Sequence, residues 1–193
     1  MKRTHRVLLP NELRSFIRSA KKDRRFSLEF AFNTGLTPLE LIRVSRNIET
    51  LFNEHEHSIR VPGKGSNNTG GRTIFLSETF SDSLAINFDK LNYPSETSTR
   101  KRLRVTIPKY QAWLQWYKRL GERANIIHPE EIRLLTNRYT WGYYLYATGV
   151  GESLVSEQLG LTEDSKFYKS FTLSRDPNKE DIRKYTHDWK GNL

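Results

Sequence analysis

The spacing of hydrophobic residues predicts three helices in the first quarter of the chain. Apolar residues recur at intervals of three and four between residues 9 and 20, which predicts a first helix. Residues 26–33 are rich enough in Phe and Leu to form a buried helix, and Gly35 supplies its end. A proline is well accommodated in a first helical turn, so we expect a third helix over 38–44.

The next part of the chain changes to the alternating pattern of half-buried strands. Residues 58–62 and 72–76 both alternate apolar and polar positions, and a segment rich in Gly and Asn, 63–71, lies between them. These features predict a β-hairpin with a long tip.

The second half returns to helical spacing. Residues 92–99 are polar enough to be a flexible loop, and from residue 107 onward the pattern is helical. Aromatic residues are frequent at 113–120 and 141–147, and a shorter helical segment follows at 153–159. The chain shows no internal repeat. We therefore predict an α+β fold that is mostly helical, with a small antiparallel sheet or hairpin.

Composition indicates a class of partner for this fold. With 193 residues the chain is long enough for one domain, so we expect a single domain over 1–193. Lys and Arg number 32 against 22 Asp and Glu, a net charge of +10 that is typical of proteins that bind polyanions. A dense basic segment could neutralise several phosphates, although it is equally typical of a solvated surface. Its members are Arg100, Lys101, Arg102 and Arg104.

Other classes find little support in the sequence. No cysteine is present, which excludes disulfides and thiolate metal sites. There is no membrane-length apolar run and no signal peptide, so we expect a protein that is not secreted, in the cytoplasm or associated with the nucleoid. The motifs of P-loop enzymes, zinc proteases and serine hydrolases are missing. The histidines of 55–57 fit a polar turn better than a metal site.

The most specific pattern lies in two segments about a hundred residues apart. The first, 33–41, reads Asn-Thr-Gly-Leu-Thr-Pro-Leu-Glu-Leu. In the second, Arg138 is followed by Gly149 eleven residues later and by Gly160 after eleven more. Together these segments resemble the two halves of the catalytic domain of the tyrosine recombinases, the family that includes the phage integrases.

The resemblance implies a reaction and residues that would perform it. Breaking a DNA phosphodiester without metal requires a nucleophile, cations for the charged transition state and an acid for the leaving oxygen. Arg138 corresponds to one of the family's phosphate-binding arginines, and Lys64, in a Gly-Lys-Gly turn, corresponds to the general acid. No cofactor or metal is implied.

The nucleophile is ambiguous between two tyrosines. Tyr168 lies near the family's usual distance after the Leu-Gly corner, whereas Tyr185 belongs to a Tyr-Thr-His segment similar to the ending of many integrases. We favour Tyr185, with an insertion over 165–177 before it.

Three positions depart from the family pattern. Thr37 stands where the first arginine is expected, Leu135 stands three residues before Arg138 where histidine is usual, and Leu161 replaces a histidine or tryptophan. A leucine side chain cannot donate a hydrogen bond to phosphate. His128 could be a displaced donor, but a loop residue is the better interpretation.

Two functions follow from the resemblance. The first is a DNA-binding protein of the integrase type that cuts and rejoins duplex DNA through a 3′-phosphotyrosyl intermediate, using a basic face with Lys64, Arg72 and Arg138. The second is an inactive DNA-binding regulator or accessory factor of a mobile element. For both functions we expect a single catalytic-type domain without the family's usual N-terminal helical domain. Both are compatible with a homo-oligomer on DNA.

Overall fold

The computed structural model describes residues 5–63, 71–98 and 105–161, and the backbone of Phe171–Thr172. The helices in these ranges are α1 (Pro10–Arg18), α2 (Lys22–Thr34), α3 (Pro38–Arg46), α4 (Ile48–Leu51), α5 (Glu78–Asn87), α6 (Tyr110–Arg123), α7 (Thr136–Ala147) and α8 (Glu152–Leu159). The strands are β1 (His5–Arg6), β2 (Phe52–Asn53), β3 (Ser58–Val61), β4 (Arg72–Phe75), β5 (Ser95–Ser98), β6 (Val105–Pro108) and β7 (Phe171–Thr172). The predicted α+β class, mostly helical with small sheets, is confirmed.

Helix α2 forms the centre of the core. Its apolar residues occupy most sides of the helix, and Leu28, Phe30 and Ala31 are fully buried. A helix that is apolar nearly all round must be covered by neighbours, and α1, α5 and α7 all pack against it. The predicted buried helix is confirmed, although it begins four residues earlier than expected.

An aromatic cluster joins α6 to the N-terminal helices. The ring of Tyr117 lies edge-on to Phe16 of α1 with centroids 5.5 Å apart, and Trp113 stacks on Tyr93 at 5.1 Å. Edge-to-face and offset contacts of this kind add specificity to the area that they bury. This packing explains why the aromatic positions of the second half keep helical spacing.

No helix in the described ranges is long and apolar enough to cross a membrane.

The predicted hairpin is confirmed and carries a third strand. β3 pairs antiparallel with β4 from Ser58↔Phe75 to Val61↔Arg72, and β2 adds to the other edge of β3. The turn before β3 contains the histidines of 55–57, as expected. The tip, 64–70, lies outside the described residues, and Lys64 lies there with it.

A second hairpin replaces the loop expected at 92–99. β5 pairs antiparallel with β6 from Ser95↔Pro108 to Ser98↔Val105. The predictions of a loop at 92–99 and of helix from residue 107 were therefore wrong. Alternation of apolar and polar residues could not predict β5, because three of its four residues are exposed. Backbone pairing with β6 holds this strand in place. The basic residues Arg100, Lys101, Arg102 and Arg104 lie between the strands, outside the described residues.

The two ends of the described chain meet in a small parallel sheet. β1 pairs with β7, with His5 opposite Phe171 and Arg6 opposite Thr172. Arg6 is buried and forms an ion pair of 2.5 Å with Glu12. The His5 ring stacks on Tyr139 with centroids 3.8 Å apart. These contacts attach β1 to both α1 and α7.

Candidate functional site

The two sequence segments of the recombinase-like pattern meet where α2 turns into α3. Gly35 ends α2 with a left-handed backbone (φ 59°). The side-chain amide of Asn137, at the start of α7, donates to the Ala31 oxygen at 3.0 Å and to the Leu36 oxygen at 2.8 Å. Each bond is buried and joins residues about a hundred positions apart. Asn137 therefore attaches the α2–α3 turn to the first turn of α7, next to Arg138.

Arg138 uses its guanidinium to hold backbone carbonyls. It donates from Nη1 to the Gly35 oxygen at 3.2 Å and from Nη2 to the Leu159 oxygen, and its side chain is 9% exposed. Burial lowers the pKa of Arg138 to about 10, while the Glu40 carboxylate, 3.9 Å away, opposes that shift. The group stays cationic at neutral pH.

Arg72 makes a two-pronged ion pair with the same carboxylate. Its Nη1 lies 2.7 Å from Oε1 of Glu40 and its Nη2 lies 3.3 Å from Oε2, while Nε donates to the Gln158 oxygen at 2.8 Å. Paired bonds of this kind combine charge with fixed geometry. Glu40 therefore lies between two arginines, and the three groups form a largely buried Arg-Glu-Arg cluster with a formal charge of +1.

Glu40 is held ionised by its neighbours. Burial raises its pKa, but the hydrogen bonds and charge of Arg72 and the bonds from Thr37 outweigh burial and bring the pKa to about 2. Thr37 donates to Oε2 from its backbone and from its hydroxyl, each at 2.9 Å. The carboxylate thus receives bonds from two elements, β4 and the start of α3.

Thr37 serves as the N-cap of α3. Its hydroxyl accepts from the Glu40 amide at 3.4 Å while the Glu40 side chain binds the Thr37 backbone, a reciprocal capping box. The position that would hold the family's first arginine is therefore occupied by a neutral side chain committed to a helix start.

The two leucines at family donor positions are also structural. Leu135 is the N-cap residue of α7 and makes no side-chain cap bond, while Leu161 packs against the core. His128, weighed as a displaced donor, lies in an exposed loop with a left-handed backbone and contacts Glu130 at 3.1 Å. The interpretation of His128 as a loop residue is confirmed.

Gln158 ties α8 to the edge of the sheet beside Arg72. Its amide donates to the Thr73 oxygen at 2.9 Å and accepts from the Phe75 backbone at 3.1 Å, as a neighbouring strand residue would. Gly160 follows with a left-handed backbone, and a Cβ there would lie 2.9 Å from Nη1 of Arg72. The chain therefore passes as close to the Arg72 guanidinium as a glycine allows.

Sequence reasoning found the arginines but missed their shared partner. The resemblance covers Glu40 but gives it no role. The Thr-Pro-Leu-Glu spacing of 37–40 was the available signal, because it is a capping-box pattern. No local pattern pointed to Gln158 or Asn137, whose partners are distant in sequence.

The remaining candidates stay predictions. Three of them lie outside the described residues, namely Lys64, Tyr168 and Tyr185. Their roles as general acid and nucleophile stay predictions. In the described part of the chain, no group of three or more His, Asp or Glu residues is arranged to hold a metal ion.

Acid should destabilise the protein through Glu40. Because its folded pKa of about 2 lies below its ordinary value of 4.5, the stability that it contributes is present above pH 4.5 and is lost as pH falls toward 2. The shift corresponds to at most about 3 kcal/mol of unfolding free energy. Urea unfolding at pH 7, 4 and 3 should therefore show a steeper decline for the wild type than for Glu40→Gln. Equal declines would contradict this role.

Comparison with known proteins extends the resemblance to the fold. No family model matches the sequence, and no curated protein matches it. Among solved structures, XerA recombinase is 17% identical with a TM-score of 0.59, covering 95% of this chain and 65% of that one. The Tn1549 transposon integrase in complex with transposon right end DNA is 12% identical with a TM-score of 0.62, covering 94% and 65%. XerH site-specific recombinase bound to its palindromic difH substrate is 19% identical with a TM-score of 0.54, covering 98% and 54%.

These likenesses establish the fold alone. Nearly the whole of this chain superimposes on tyrosine recombinases, while it spans less than two thirds of the length of each of them. The chain therefore has a tyrosine recombinase-like fold.

Proposed function

We propose that this chain is a duplex DNA-binding protein of the tyrosine recombinase type. The observation that carries the proposal is the likeness over 94% of the chain to an integrase solved on DNA. The net charge of +10 supports it, because phosphate neutralisation supplies most of the non-specific affinity for DNA. Such a protein would act in the cytoplasm or on the nucleoid. Its role would be that of a regulator or accessory factor of a mobile element.

The geometry favours binding without strand cleavage. The guanidinium of Arg138 is engaged by two backbone carbonyls and lies near Glu40, and Thr37 is committed to a helix cap. Loss of one preorganised donor typically costs a hundredfold or more in rate. With neutral side chains at Thr37, Leu135 and Leu161, three donors of the family pattern are absent together.

Strand cleavage is the second candidate, favoured by the retained Arg138 beside the α2–α3 turn. In that reaction the hydroxyl of Tyr185 or Tyr168 loses its proton to water, and its oxygen bonds to the scissile phosphorus. The bond to the 5′ oxygen breaks, and Lys64 gives a proton to that oxygen. Arg138 stabilises the charge on the transferring phosphate, and the product is a 3′-phosphotyrosyl link with no metal or ATP consumed.

Two measurements separate these functions. Fluorescence anisotropy with a labelled duplex should show binding that weakens steeply with salt. Nicked or suicide substrates should yield no denaturant-resistant adduct if the protein only binds. An adduct that Tyr185→Phe or Tyr168→Phe abolishes would instead establish cleavage and identify the nucleophile.

Matched variants connect the result to the site. Lys64→Ala should weaken duplex binding. Arg138→Lys keeps the cation but loses the fork that reaches two carbonyls, so its melting temperature must be compared with wild type before its DNA affinity is interpreted. Absence of binding to any duplex at low salt would refute the proposed function.

A further inference from the structure

A second basic surface lies where α1 turns into α2. Between residues 14 and 25 the chain carries six cationic side chains and one carboxylate, Asp23, which lies 3.9 Å from Arg24. We call this surface the basic corner. Most of its cations are exposed, namely Arg14, Arg18, Lys21, Lys22 and Arg25.

The basic corner is held together by its own arginines. Arg25 donates from Nε to the Ala20 oxygen at 3.1 Å and from Nη2 to the Arg18 oxygen at 3.0 Å, which satisfies carbonyls at the end of α1. Arg24 donates to the Asn92 oxygen at 2.8 Å. These bonds bring the first turn of α2 against the last turn of α1, so charges from both helices share one surface.

The cations of the basic corner destabilise the two helices that carry them. Arg14 and Arg18 are four residues apart on one helix, and like charges at that spacing repel. Lys21 and Lys22 lie at the N-terminus of α2, where the helix dipole favours anions and disfavours cations. Arg14, Arg18 and Lys22 have no carboxylate partner within the described ranges. Cations at positions where they destabilise a helix are expected when a binding surface requires positive charge there.

The basic corner is separate from the Arg-Glu-Arg cluster. Arg138 binds the carbonyl of Gly35 at one end of α2, and Lys22 begins the other end. Thirteen helical residues with a rise of about 1.5 Å each place the two ends roughly 20 Å apart. Along a duplex that distance corresponds to about six base-pair steps.

We propose that the basic corner is a second contact surface for the phosphate backbone of duplex DNA, distinct from the recombinase-like site. The proposal rests on the proposed function and adds a surface to it. Exposed cations without partners neutralise phosphates and release counterions, so each contact contributes to the salt dependence of binding. No base is read at this surface, because the side chains supply only positive charge.

The test removes three charges from the basic corner. Anisotropy with a labelled duplex of generic sequence is measured across a KCl series for wild type and for Arg14→Gln/Arg18→Gln/Lys22→Gln. Because each lost contact lowers the slope of log K against log salt by about 0.9, the slope should fall by about 3. At 0.1 M salt the affinity should fall on the order of a hundredfold.

Two control variants isolate the effect of position from that of charge. Lys118→Gln/Arg119→Gln/Arg123→Gln removes three solvent-accessible cations of α6 and should change the slope by less than 1. Arg14→Lys/Arg18→Lys/Lys22→Arg keeps every charge of the basic corner and should bind as wild type does.

The outcomes separate this proposal from the one on which it rests. If wild type binds and the corner variant matches the charge-removal control, the basic corner is not a DNA surface, and the proposed function stands without it. An acidic protein partner would then be the alternative occupant. If wild type binds no duplex even at low salt, both proposals are overturned.

Discussion

Replacing Glu40 by alanine should destabilise the protein by about 3–5 kcal/mol. The carboxylate is 16% exposed and is the one acid that pairs with Arg72 and Arg138 among the described residues. Without it two guanidinium groups stay buried and uncompensated, and the Thr37 backbone loses its acceptor. Chemical denaturation at pH 7 gives the free energy directly.

Glu29 provides the matched control for that experiment. It is also a half-buried helical glutamate, but burial raises its pKa and the charge of Arg25 only partly offsets the shift. Its ionised form is therefore not favoured by the fold, and Glu29→Ala should change stability by about 1 kcal/mol or less. Comparable losses for Glu40→Ala and Glu29→Ala would contradict the role given to the Arg-Glu-Arg cluster.

A double variant tests whether the cluster acts as a unit. If Glu40 and Arg72 compensate each other, removing both should cost less than the sum of the two single replacements, because the second change removes a charge that the first left unpaired. Strict additivity would mean that the 2.7 Å contact between them contributes little.

Replacing Gly35 by alanine should destabilise the protein by about 3 kcal/mol. The residue has a left-handed backbone, which costs a side-chain-bearing residue about 1–2 kcal/mol. A Cβ would also lie 2.7 Å from Cε3 of Trp141, a ring buried in the core, and overpacking of this kind costs about 1–3 kcal/mol. Thermal unfolding followed by circular dichroism is the measurement.

Gly151 is the control for the glycine experiment. It has an ordinary backbone angle of −59°, and nothing lies within 4 Å of the Cβ that alanine would add. Gly151→Ala should therefore stay within about 1 kcal/mol of wild type. A loss at Gly35 no greater than that at Gly151 would show that the close contact with Trp141 relaxes without cost.

The Gly35 position also connects stability to DNA binding. Its carbonyl accepts from Arg138, so a shift of the turn displaces the guanidinium along with the helix end. A folded Gly35→Ala variant with unchanged duplex affinity would place the DNA contacts away from this turn.

Much of the fold was predictable because its helices and strands bury apolar residues at the regular spacing of each type of element. The first three helices, the β3–β4 hairpin and the helices of the second half all follow from hydrophobic spacing. The β5–β6 hairpin was missed because β5, Ser95–Ser98, is polar and largely exposed, which leaves no periodic signal. Its existence depends on backbone pairing with β6.

The candidate site divides in the same way. The resemblance placed Arg138 and the 33–41 segment in one pattern and showed that Thr37, Leu135 and Leu161 depart from it. The convergence of Arg72 and Arg138 on Glu40 became visible in the packing of α3, β4 and α7. Spacing along the chain reports which face of an element is buried, whereas an ion pair between residues 40 and 72 and a carbonyl contact between 35 and 138 depend on how separate elements pack.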